Sequence, residues 1–416
     1  MAVISSIGAA ATMTYERENL AGWAIVGLGF LTLALAFSSR AVLGLAMPVW
    51  ENDPGWSRSF VSTGGALALV MMAIVGPFAG NLVDRHGPRV LLAGGSFLIF
   101  AGLMIVAAAD SRWMFLAGFS GVAAIGFGMV ATHVVATAIA LRFREGRRGL
   151  ATGIGTAGAT AGQLVVVPLV AVVLQAGNWR LAVGALAAAC AVVGLVAFVG
   201  LGRGRGPAKA AVAEAPLGQR LGILARSPVF HVLFWTFLIC GFTTSGVIET
   251  HFLPYAVACG FPPLSSATAY GVLSGVNLAG MILAGWLTDR VNRPMLLGGI
   301  YLMRALCFVL LMQVAGDFPL LILFAVLFGL FDYSTIPVTA SLVASHLGVR
   351  IMGLAMGLIA AGHAVGGAAG AFLGGWLFDL FARYDWVWIA AIGLAALAGL
   401  LALTLRDRPV RVLVPA

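Results

Sequence analysis

The sequence predicts an all-α membrane protein of twelve transmembrane helices arranged as two six-helix bundles, and three observations predict it. Hydrophobic residues make up 61% of the 416 and charged residues only 9%, against about 25% charged in an ordinary soluble domain. Apolar runs long enough to cross a bilayer recur twelve times, and the second six echo the first at a nearly constant offset. A soluble core of this length has too few polar residues to cover its surface, so a water-soluble enzyme is excluded and lipid must solvate most of the chain.

A spanning helix needs about 20 mainly apolar residues. By that measure α1 covers 22–48, α2 58–82, α3 90–109, α4 113–141, α5 150–175 and α6 179–201. The second set is α7 at 228–256, α8 at 264–288, α9 at 294–315, α10 at 318–343, α11 at 350–378 and α12 at 384–405. Between α6 and α7 lies the one polar stretch long enough to divide domains, with Arg203, Arg205, Lys209, Arg220 and Arg226. The expected organisation is therefore an N-terminal bundle 1–201, a cytoplasmic linker 202–227 and a C-terminal bundle 228–416. In the linker, Leu217, Leu221 and Leu224 have the spacing of a short helix lying on the membrane face; a flexible tether fits equally well.

The formal net charge is +9, a balance that in a soluble protein raises nucleic-acid binding. Placement gives it another meaning. With the N-terminus in the cytoplasm, 18 Lys and Arg fall inside and four outside (Arg58, Arg112, Arg180, Arg383), with Arg40 and Arg304 within spans. The positive-inside rule puts both termini in the cytoplasm and leaves nucleic acid no role. Glu16, Arg17 and Glu18 just before α1 have the wrong polarity for a cleaved signal peptide. Cys190, Cys240, Cys259 and Cys307 stand singly in apolar stretches and read as small buried hydrophobes. No Cys/His cluster suggests a metal.

The halves repeat. Gly80, Leu82, Asp84 and Arg85 after α2 recur 205 residues on as Gly285, Leu287, Asp289 and Arg290 after α8. Gly149, Leu150, Ala151 and Gly153 recur 204 residues on as Gly353, Leu354, Ala355 and Gly357. Repeats that meet near the bilayer midplane are the signature of secondary transporters, with the substrate site between halves.

The segment GNLVDRHGPRV, carrying Gly80, Asp84, Arg85, Gly87 and Arg89, resembles the loop signature of the major facilitator superfamily, and GWLTDRVNRP from Gly285 resembles its second-half echo. Gly55-Trp56-Ser57-Arg58, His251-Phe252-Leu253-Pro254-Tyr255 and Gly374-Gly375-Trp376-Leu377-Phe378-Asp379 resemble the monocarboxylate and oxalate/formate carriers within it. The resemblance implies the major facilitator fold, alternating access, and a cytoplasmic latch of Asp84, Arg85, Arg89, Asp289 and Arg290 that holds the outward-open state. Carriers of that branch commonly have an arginine in α8, and the oxalate exchangers a lysine in α11. Here α8 offers Ser274 and Asn277 and α11 offers His363, which counts against oxalate itself. The run Gly153 to Gly162 lacks the Gly-Pro pair of drug exporters, which counts against drug–proton exchange.

A charge near the bilayer centre costs roughly 2.5–3.5 kcal/mol on insertion scales, so each one needs a reason. Arg40 lies about 27 Å along α1 at 1.5 Å per residue. It is the candidate for holding an anionic substrate through paired hydrogen bonds, with an acidic neighbour or snorkelling as the alternative. Asn277 and His363 are the candidate helpers from the second half. Aligning Met47-Pro48 with Leu253-Pro254 sets Arg40 against Gly246, one turn from Glu249. An Arg40–Glu249 pair closing the outer gate follows as an expectation, with His251 as a proton site or a histidine in wet headgroup surroundings. Asp332, mid-α10, has two readings, a proton-coupling carboxylate or a structural pair with Arg304 of α9. His133 is expected at the interface.

Gly153-Ile154-Gly155-Thr156-Ala157-Gly158 fits G-x-G-x-x-G but has no strand before it, so the dinucleotide reading fails; these glycines and Gly162 are expected to let α5 pack tightly. The only lysine is Lys209, so no phosphate-binding loop exists and ATP is not the energy source. No cofactor is expected. The resulting expectation is a monomeric secondary carrier in a bacterial inner membrane that moves a small organic anion, a monocarboxylate, with protons. The alternative is a proton-driven exporter of an apolar or cationic compound.

Overall fold

Why the chain is helical throughout follows from its solvent, because a segment in lipid must satisfy every backbone N–H and C=O within itself. The structure, a computed structural model, describes residues 2–52, 55–143, 145–175, 178–201 and 215–407. Arg144, Arg203, Arg205, Lys209, Arg408 and Arg411, counted above for orientation, lie outside the described residues, as do the side chains of Arg17 and Arg58. Twelve helices among the described residues are long and apolar enough to span: α1 Ala21–Met47, α2 Phe60–His86, α3 Pro88–Ala107, α4 Arg112–Ala140, α5 Arg148–Leu174 and α6 Trp179–Gly200. They continue as α7 Pro228–Ala258, α8 Leu264–Thr288, α9 Arg293–Leu311, α10 Phe318–His346, α11 Met352–Phe381 and α12 Asp385–Leu403.

The ends are set by local chemistry. Side-chain oxygens of Ser111, Asn178, Ser227, Asn292 and Asp317 accept from the free N–H groups that open α4, α6, α7, α9 and α10, which the helix cannot satisfy itself. Gly87, at φ 77°, turns α2 into α3 in a single residue, a backbone position that favours glycine. Because α2 runs on to His86, Asp84 and Arg85 sit in its last turn rather than in a following loop. In the linker a short helix forms over Leu217–Ala225, with Arg220 and Leu224 buried against the bundles and Leu217 and Leu221 exposed.

Packing depends on glycine at the helix crossings. A Cβ on Gly158 or Gly162 of α5 would strike the backbone of Phe30 or Ala34 of α1, so the expected tight packing of α5 is observed. The second half repeats the device, with Gly241 and Gly366 closing α7 on α11. Between the halves the seams come as a related pair: α2 meets α11 at Gly80 and Gly353, and α5 meets α8 at Gly149, Gly153 and Gly285. Small residues at membrane crossings bring backbones into van der Waals contact, which drives association where lipid offers no hydrophobic gain.

Two spans are interrupted. α4 breaks at Val130–Ala131 and α10 at Asp332–Ser334, corresponding places in the two halves. His133, expected at the interface, is instead 5% exposed, with Nε2 3.3 Å from the Gly76 carbonyl of α2. The break above it turns this stretch of α4 into the bundle.

Candidate functional site

The polar side chains gather in three places: at one end of the bundle, around the α10 break, and in a cavity of the first half.

At the end where α2 and α8 finish, each half grips the other. Asp84 accepts from the backbone N–H of Gly353 at 2.8 Å and of Leu354 at 3.1 Å, the opening of α11. Asp289 accepts from Gly149 at 2.8 Å and Leu150 at 2.9 Å, the opening of α5. A carboxylate at a helix N-terminus satisfies free N–H groups and complements the positive end of the helix dipole. The cation that crosses to this point is Arg220 of the linker helix, 4% exposed, with Nη2 2.6 Å from Asp84 Oδ2, Nη1 donating to Asn81 Oδ1, and a longer bond to the Arg350 carbonyl. Arg89 and Arg290 stay in their own halves, the first over the Phe198 ring at 4.1 Å, the second over Trp286 at 4.2 Å. The bonds by which Asp84, Asp289 and Arg220 join the halves all lie at this one end.

At the α10 break, Arg304 is fully buried and makes an ion pair with Asp332, Nη2 to Oδ1 3.0 Å. It also donates to the Asp332 carbonyl, to Thr244 Oγ1 at 2.7 Å and to Cys240 Sγ at 3.1 Å. Cys240 thus touches a guanidinium rather than serving only as filling. Asn277 Nδ2 donates to Asp332 Oδ2 at 3.1 Å while its Oδ1 accepts from the Tyr333 N–H at 3.2 Å, so both ends of the amide are engaged. Next along, the Tyr333 hydroxyl donates to Glu249 Oε1 at 2.7 Å, and Ser245 Oγ donates to the same oxygen at 3.3 Å. Glu249 is exposed and Asp332 is buried. Tyr333 links them through its own covalent frame, its backbone N–H held by Asn277 and its hydroxyl by Glu249.

In the first half Arg40 lines a cavity of about 240 Å³ with Phe37, Leu69, Met72, Phe119 and Gln163. Its guanidinium carbon lies 5.0 Å from the Phe37 ring centroid. No acidic side chain pairs with it among the described residues, and no contact joins it to Glu249. His251, 7% exposed, has Nε2 3.0 Å from the Ala371 carbonyl and its ring beside Tyr384, so it sits between α7 and α11 rather than among headgroups. His363 is half-buried with its ring 5.1 Å from Phe237. Arg220 is the residue that sequence reasoning counted only as charge. Its buried partner lies 136 residues away, and only its place on the amphipathic linker segment hinted at docking.

The Major Facilitator Superfamily signature matches residues 29–311 and 278–415. The chain is 26% identical over 335 residues to an uncharacterized MFS-type transporter, YcxA, of Bacillus subtilis, covering 79% of this chain and 81% of that one. It is 25% identical over 381 residues to monocarboxylate transporter 13 of Rattus norvegicus, covering 91% and 87%. Against the oxalate:formate antiporter of Oxalobacter formigenes it is 27% identical over 310 residues, 71% of each. In fold it matches the proton:xylose symporter XylE at TM-score 0.71 with 14% identity, covering 94% of this chain and 98% of that one. The chain belongs to the major facilitator superfamily: it is an integral multi-pass membrane transporter, not an enzyme, with relatives among the monocarboxylate and oxalate/formate carriers.

Proposed function

We propose that this member of the superfamily moves a small organic anion, a monocarboxylate, together with protons by alternating access, and that the anion binds at Arg40. The observation that carries the reading is the environment of that side chain, a guanidinium within a span, lining a cavity, with no carboxylate beside it among the described residues. A substrate carboxylate would supply the missing partner through two parallel N–H···O bonds, with the Gln163 amide as a neutral donor nearby. The monocarboxylate transporters and the oxalate:formate antiporter among its relatives support the same substrate class.

Protons enter the reading through the second half. Glu249 is the exposed carboxylate, Tyr333 its hydrogen-bonded neighbour, and Asp332 the buried acid held by Arg304 and Asn277. In this scheme Asn277 serves the substrate by fixing Asp332, and His363 is the polar group that α11 contributes. Arg40 and Glu249 pair only when the end opposite the latch closes, with His251 bracing α7 on α11 behind them. The latch end is cytoplasmic by the arginine count, both termini with it, and the protein works as a monomer in a bacterial inner membrane.

The test is uptake of labelled carboxylates, from lactate to oxalate, into liposomes holding the purified protein, with and without an inward acid gradient. Saturable, acid-stimulated uptake of one anion is expected. Arg40→Gln should lower it about a hundredfold, the worth of one or two charge-assisted hydrogen bonds, with insertion intact. Full transport by Arg40→Gln would sink the anion site, and silence across the panel from folded protein would favour export of an apolar or cationic compound.

A further inference from the structure

A second cavity, larger than the one at Arg40, holds about 560 Å³ between the latch-side ends of α1, α3 and α6, with His86 at the end of α2 and Arg142 just after α4 completing its wall. Its walls include Val90, Phe97 and Phe198, all exposed on the bundle surface and so facing lipid. Its polar lining is two arginines, Arg89 and Arg142, and His86, with no Asp or Glu.

Among the described residues, no carboxylate is paired with either arginine. Arg89 stacks on Phe198, and its Nε is buried with no hydrogen-bond acceptor. A buried donor left without an acceptor is costly, and two guanidiniums lining one cavity repel across it. An anion with two or more acceptor oxygens would relieve both. Because the slot is apolar-walled and open to the membrane side at the depth of a span end, the anion it fits is one that carries acyl chains.

We propose that this cavity binds the headgroup of an anionic phospholipid, its phosphate between Arg89 and Arg142 and an acyl chain along Phe97 and Phe198. Basic pockets between spans near the membrane surface recognise such headgroups, and a guanidinium grips phosphate oxygens in pairs. The occupant differs from the cargo proposed at Arg40, since the two cavities share no lining residue. The proposal does not rest on the transport reading.

Native mass spectrometry of the detergent-purified full chain, incubated with phosphatidylglycerol, phosphatidylcholine or inorganic phosphate, tests it. One phosphatidylglycerol per chain should survive at activation energies that strip phosphatidylcholine. The Arg89→Gln/Arg142→Gln variant should weaken that binding roughly 30-fold, about fivefold for each surface cation removed. Val90→Trp, at an exposed position, keeps every charge but fills the mouth and should weaken it as well; thermal unfolding confirms that both variants are folded. Equal retention of the two lipids by the wild type overturns the proposal, and so does undiminished phosphatidylglycerol on the double variant. Displacement of the lipid by millimolar inorganic phosphate overturns it too, since the site would then take a free anion.

Discussion

The two latches are built from the same repeated residues and differ in one. In both, an aspartate at the end of one half's span accepts two N–H groups from the start of a span in the other half, at 2.8–3.1 Å. Asp84 has in addition a buried arginine from the linker helix, and Asp289 has no cation paired with it among the described residues. The first latch therefore joins three parts, namely both halves and the segment between them, whereas the second joins two. A linker that contributes Arg220 to the first latch is more than a tether, since any movement that parts α2 from α11 must also pull this side chain from its carboxylate or carry it along. The asymmetry implies that the α2–α11 seam is the harder one to open.

The largest effect that would break or sharpen this comparison is expected from Asp84→Ala. It removes the helix cap and strands a buried guanidinium, and breaking a buried pair from one side costs about 3–5 kcal/mol. Distances between spin labels on exposed His86 and Val291 should show the latched population collapse; an unchanged distribution would remove the aspartate from the latch.

Next comes the pairing itself. Adding Arg220→Met to Asp84→Ala deletes the stranded charge, and the double variant should regain latching, with a coupling of roughly 1–3 kcal/mol in the cycle. Additive effects within about 0.3 kcal/mol would mean that the two side chains are neighbours without energetic consequence.

A third test uses the seams. Gly285→Ala puts a methyl group against the Gly149 backbone, and overpacking of this kind costs typically about 1–3 kcal/mol. The label distance should shift toward the unlatched form, and an unaltered distribution would show that the α5–α8 crossing has slack. Smallest should be Asp289→Ala, a lost cap with no stranded cation, at roughly 1–2 kcal/mol. If it matched Asp84→Ala, the asymmetry between the latches would have no energetic meaning.

What could be read beforehand divides along the same lines. Asp84 and Asp289 were legible because a residue that recurs in both halves at the same place stands out against loop charges. The Arg304–Asp332 pair was legible as one of two alternatives, since buried charges in adjacent spans have few other partners. The breaks in α4 and α10 were less legible. The α4 break holds no proline or double glycine; the α10 break had one signal that went unused, Pro337, which has no N–H for the Tyr333 carbonyl four residues back, and Arg304 and Asn277 occupy the Asp332 carbonyl and the Tyr333 N–H freed there. His133 was misread as interfacial because its depth depended on the α4 break. The cationic cavity was equally hidden, because its two arginines, Arg89 and Arg142, lie on separate segments and both read as topology.

By itself the sequence determined the twelve spans and the repeat that relates the two halves, because burial in lipid imposes length, apolarity and internal hydrogen bonding on each segment independently of its neighbours. Only the tertiary structure decided which cation meets which carboxylate: Arg220 with Asp84, Arg304 with Asp332, and, among the described residues, Arg40, Arg89 and Arg142 with none. Those outcomes depend on which faces of separately stable helices come together. That choice is made by close packing at glycines scattered over both halves, through contacts between residues far apart in the chain.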